Sequence, residues 1–94
     1  MKLDHVGEVL SKHIGAKRDG ATFLIPVESE VTMFVALTGE TLAVPKVIRV
    51  EIAEPMIICD TSRGDRVVFY ADDVRAIRSE KGEGGRRERS AGFR

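Results

Sequence analysis

"FYADDVRAI", residues 69–77, sets two adjacent acids, Asp72 and Asp73, between two short apolar runs. A metal or acid/base site built on this pair would need both carboxylates to converge and a third group to join them. Adjacent residues of a strand point in different directions, and no third carboxylate stands within a few residues. A corner between strands asks for less. It needs a residue whose side-chain oxygen bonds backbone N–H groups just ahead, which Asp does well. The stretch therefore reads as strand, a single turn "DDVR", and a return to the sheet at Ala76-Ile77. On that reading one acid carboxylate caps the turn.

Working upstream, apolar residues recur with period two. Residues 22–27 (TFLIPV), 31–37 (VTMFVAL), 41–53 (TLAVPKVIRVEIA), 56–60 (MIICD) and 66–71 (RVVFYA) are five β-prone runs, and 74–78 offers a very short sixth. In the longest run Ile48, Val50 and Ile52 alternate with Val47, Arg49 and Glu51, which predicts a core face for the first set. Pro26 and Pro45 lack an N–H, which places them at edges, bulges or strand starts. Short turns separate the runs: Asp19-Gly20, Glu28-Ser29-Glu30, Thr38-Gly39-Glu40, Glu54-Pro55 and Ser62-Arg63-Gly64-Asp65. Strands joined this tightly pair with their sequence neighbours, and a strongly bent five-stranded antiparallel meander closes into a small β-barrel.

In front of the barrel, Leu3, Val6, Val9, Leu10 and Ile14 fall on one stripe of an α-helix. Asp4 and Glu8 lie toward its start, Lys12 and Lys17 toward its end, and Gly15 supplies the C-cap. The fold class is therefore α+β, mainly β. His13 falls in the stripe and His5 at its margin. With no cysteine, third histidine or spaced carboxylate to join them, they read as a half-buried histidine or a helix-end cation rather than metal ligands.

Behind the barrel, residues 79–94 (SEKGEGGRRERSAGFR) have only Ala91 and Phe93 as apolar residues, which predicts a disordered Gly/Arg-rich tail after a single domain at 1–78. Residues 1–78 hold 10 basic and 12 acidic residues and 79–94 hold 5 and 3, so a weakly acidic body carries a basic tail. The whole chain has zero net charge, which removes any global attraction toward nucleic acid or anionic membrane.

Single-residue chemistry is sparse. The one cysteine, Cys59, excludes an intramolecular disulfide and a multi-cysteine zinc site, and its place in an apolar strand predicts a buried, inert thiol. No stretch approaches the roughly 18–20 apolar residues of a membrane span, and the first residues lack a signal-peptide core; the expected location is cytoplasmic. Arg63-Gly64-Asp65 reads as a hairpin turn with Gly64 at positive φ. No nucleophile–base spacing, phosphate loop or aromatic stacking platform occurs. The sequence predicts no enzyme, no cofactor and no metal.

Three quoted segments, "VTMFVALTG", "LAVPKVIRVEI" and "MIICDTSRG", followed by "VVFYADDVRAI", resemble the Sm-like fold, especially its bacterial RNA-chaperone branch, and more broadly the SH3-type small barrels. The resemblance covers Val31 to Arg78. It implies a very short helical turn between the last two strands and edge-to-edge pairing of subunits into a ring. Two departures stand out. Val44-Pro45 occupies the bent strand where those barrels carry glycine, and Ala71-Asp72 follows Tyr70 where the RNA-chaperone branch has a basic residue and a histidine. A ring of such acids repels a uridine backbone.

A chain with about 78 structured residues buries only roughly 60% of its unfolded surface, so its leftover apolar face is expected to be covered by another copy or a partner. The leading expectation is a non-enzymatic, self-associating binding or adaptor module. The second is an RNA-binding regulator on the same barrel, with Arg86, Arg87 and Arg89 contacting phosphates.

Overall fold

The computed structural model describes residues 1–81 of the chain. An α-helix, α1 (Leu3–Glu8), continues as a π-helical segment (Val9–Ile14) that ends at Gly15, with φ 81°. The N–H groups of Gly15 and Ala16 both donate to the Leu10 carbonyl, which closes the helix end. Val6 and Leu10 are fully buried, and Leu3 and Ile14 pack beside them, so the helix lays its predicted stripe on the sheet. His13 is not in that stripe. The wider i→i+5 turn rotates less per residue than an α-turn, and His13, like His5, faces solvent.

Seven antiparallel strands follow: β1 (Lys17–Asp19), β2 (Thr22–Leu24), β3 (Ser29–Leu37), β4 (Glu40–Ala53), β5 (Met56–Thr61), β6 (Arg66–Tyr70) and β7 (Val74–Lys81). Each of the five expected runs carries a strand. The count rises to seven because the charged triplet Lys17–Asp19 hairpins onto β2 and the last strand is eight residues long. That strand reaches Lys81, opposite Ser29, three residues past the expected domain end at Arg78.

β4 organises the sheet. Its first half pairs with β3, which pairs with β7; its second half lies between β2 and β5, and β5 carries β6. Curled about β4, the sheet forms a half-barrel over the helix.

Two irregularities bend β4 and correct its predicted register. Against β3, the pairs Met33↔Val44 and Val31↔Val47 place three steps of β4 beside two of β3. The surplus falls at Pro45-Lys46, where Lys46 takes φ 56°, the left-handed region that glycine occupies most readily. Against β5, the pairs Val47↔Thr61 and Arg49↔Asp60 leave Ile48 unmatched. Val47 and Val50 therefore both enter the core, Ile52 packs half-buried against it, and Ile48 is 49% exposed. A strict period of two had put Ile48 inside and Val47 outside.

The core is built from Val6, Leu10, Phe23 and the inward residues of β3 to β7, among them Met33, Val50, Ile57 and Val74. Cys59 belongs to it: its Sγ lies 3.3 Å from Met33 Sδ, and burial first, then the charge of Asp60, pushes the thiol up to about 12. No helix among the described residues is long and apolar enough to cross a membrane.

Candidate functional site

The Asp72-Asp73 corner is a single 3-10 turn, Ala71–Asp73, between β6 and β7. The strand-turn-strand reading holds, but the capping chemistry differs from expectation. Tyr70 occupies the N-cap position and no side chain caps the turn. Its backbone is tied instead from outside: Ala71 N–H donates to the Pro55 carbonyl at 3.1 Å. The Met1 nitrogen donates to the carbonyls of Ala71, Asp72 and Val74 at 3.1, 3.3 and 2.9 Å. Asp72 is left exposed and Asp73 half-buried. Among the described residues no three His, Cys, Asp or Glu side chains converge as metal ligands.

Beside this corner runs an open groove of about 830 Å³ between α1 and the sheet. Leu3, Phe23, Ile52 and Tyr70 supply its apolar surface, and Gly7 lies over it, where a Cβ would make ordinary contact at 3.5 Å with the Phe23 ring and 3.8 Å with Ile52. Its rim carries both signs. Asp4, Glu54 and Asp72 face Lys2, Lys12 and Arg18; Lys12 is paired with Glu8 at 3.3 Å, and the Arg18 guanidinium lies 5.4 Å from the Phe23 ring centre. A mixed rim selects no single sign of ligand charge.

The second surface is the outer face of the β5–β6 hairpin. Cross-strand register sets Met56 beside Tyr70 and Ile58 beside Val68, forming an apolar ladder at the rim of the sheet. Tyr70 is 56% and Val68 51% exposed. The ladder ends in a charged rung, where Arg66 Nε donates to Asp60 Oδ1 at 2.7 Å and Arg66 Nη2 to Oδ2 at 3.2 Å. That two-pronged hydrogen bond is the main reason the Asp60 carboxyl sits below its ordinary value.

At the hairpin tip, the buried Thr61 accepts the N–H groups of Arg63 and Asp65 on Oγ1, and Gly64 takes φ 91°. Arg63-Gly64-Asp65 is thus the tight turn its composition predicts. Arg86, Arg87 and Arg89, the expected phosphate contacts, lie outside the described residues.

Neither the groove nor the apolar ladder was singled out from the sequence. The groove joins segments far apart in the chain and has no local signature. The ladder does have one: "RVVFY" places apolar residues on both faces of one strand, which a strand with a single dry face would not need. Comparisons with protein-family models, curated proteins and solved structures find no match to this chain.

Proposed function

We propose that the chain is a non-enzymatic small-barrel binding or adaptor module that works as a self-associated assembly, in the cytoplasm. One observation carries the reading: the half-barrel leaves strand edges unpaired among the described residues, and beside one of them lies the exposed ladder of Val68 and Tyr70. Unpaired edges next to exposed apolar side chains are templates for another chain. The short helical turn between β6 and β7 is the connection that a resemblance to Sm-like and SH3-type barrels implies, and it supports the same reading.

Sedimentation velocity across a concentration series tests the proposal. A sedimentation coefficient that rises with concentration supports self-association, and a monomer throughout refutes it.

The second reading, an RNA-binding regulator, is favoured by the basic excess of residues 79–94. Asp72 beside Tyr70 weighs against RNA at the barrel, so contacts would come from Arg86, Arg87 and Arg89. Filter binding decides it. RNA binding that weakens with salt and is lost when all three arginines become Ala supports this reading; no binding at low salt removes it.

A further inference from the structure

We infer that β6 is the self-association strand, pairing antiparallel with β6 of a second copy around a two-fold axis at Val68. This rests on the self-association proposed above and specifies its edge, symmetry and register.

β1, β6 and β7 have an outer edge that no described strand covers, and so does the first half of β4, whose residues Glu40 to Val44 pair only with β3 and run into the bulge at Pro45-Lys46. Sheets guard such edges with shortness, charge or bulges. β1 is three residues long, and all three are charged and exposed. β7 places Arg75, Arg78 and Glu80 along its length, and Arg75 is a bulge, since Phe34 pairs with Ala76 and the next residue, Val35, with Val74. β6 has none of these devices. From Val67 to Tyr70 it is uninterruptedly apolar, and its one charge, Arg66, is drawn onto Asp60.

The partner follows from β6 itself. A five-residue strand pairs along its whole length with an antiparallel copy only when its central residue meets itself. That register sets Val68 on Val68, Val67 on Phe69 and Arg66 on Tyr70. It extends the Met56–Tyr70 and Ile58–Val68 ladder across the axis and brings a guanidinium beside an aromatic ring. Pairing with β7 would instead lay the ladder beside arginines and a bulge. A contact in which one patch meets itself closes at two copies, so the assembly is a dimer.

The test uses the full chain. Sedimentation velocity from micromolar to near-millimolar concentration is expected to show a monomer–dimer equilibrium. Val68→Lys and Val68→Glu should each weaken dimerisation by at least about tenfold, because like charges then face each other across the axis. Mixing the two variants should restore a dimer containing one of each. Val68→Cys should form a disulfide-linked dimer on oxidation, since directly opposed residues have Cα atoms about 4.5–5.5 Å apart, within disulfide reach; the buried Cys59 does not compete.

A monomer at every concentration overturns this inference together with self-association. A larger closed ring, or an oligomer that both charged variants leave intact, overturns the β6 pairing and leaves self-association standing. Should the charged variants not fold, the Val68→Cys chain decides, and failure to form the linked dimer overturns the pairing.

Discussion

Truncating Val47 and Ile48 to Ala, one at a time, reads out which of two neighbours the bent strand turns inward. Val47 is 1% exposed, and Val47→Ala deletes two methyl groups. At about 0.8 kcal/mol per buried carbon the transfer loss is about 1.6 kcal/mol, and a cavity of a few tens of Å³ adds about 1 more, for a cost of roughly 2–3 kcal/mol. Ile48→Ala deletes three carbons, but Ile48 is already 49% exposed and the space it leaves opens to water. Its cost should be about 1 kcal/mol. A gap of about 1.5 kcal/mol corresponds to roughly 6–12 °C in Tm for a domain this small. Urea denaturation with unchanged m-values would measure it directly. An Ile48→Ala cost equal to or above that of Val47→Ala would refute the bulge and restore strict alternation.

Three further outcomes follow from named geometry. Lys46→Gly should stabilise by up to about 1 kcal/mol, because relief of the left-handed backbone outweighs the entropy of the added glycine; Lys46→Val should destabilise by more than about 1 kcal/mol, both read by urea midpoint. Gly7→Ala should stabilise by roughly 0.5–1 kcal/mol in a thermal scan, since its new Cβ meets Phe23 at an ordinary 3.5 Å and gains helix propensity. Cys59 contributes a pH term of definite sign. Its thiol is raised from 9.0 to about 12, so the unfolded chain loses the proton first, and stability is full below pH 9.0 and falls as pH rises toward 12. Cys59→Ala should flatten that alkaline decline relative to the parent chain; an unchanged slope would mean the thiol is not shielded.

The class of the fold was legible because five runs with period two and turn residues between them need only local rules, and the helix because Leu3, Val6, Leu10 and Ile14 keep one stripe. The bend in β4 was not. Pro45 marked an edge, bulge or strand start, but the pivot of the bend, Lys46, is a residue that rarely takes positive φ, so "VPKV" did not show where the extra residue falls, and the error spread to Val47 and Ile48. β1 had no apolar signature, because Lys17, Arg18 and Asp19 are all charged and are held by pairing with β2 and by contacts of the Arg18 side chain. At the corner, composition indicated the turn, but Pro55 and Met1, distant in sequence, tie it down in place of an Asp carboxylate. The unguarded edge of β6 is the opposite case: its signature lies within five consecutive residues.

The pairing of β3 with β7 has a kinetic consequence. β3–β4, β4–β5 and β5–β6 are hairpins whose partners meet across short turns, whereas Met33 and Ile77 are 44 residues apart. Closing that loop costs entropy that no contact repays until β4, β5 and β6 are in place, so β7 is the last strand to dock. The order reverses on opening: β7 should open before the β3–β6 hairpins, and its amides should exchange with solvent through a smaller opening than the amides of β4, which only global unfolding exposes. Whatever binds the residues beyond Lys81 therefore pulls on the strand that closes the longest loop in the sheet.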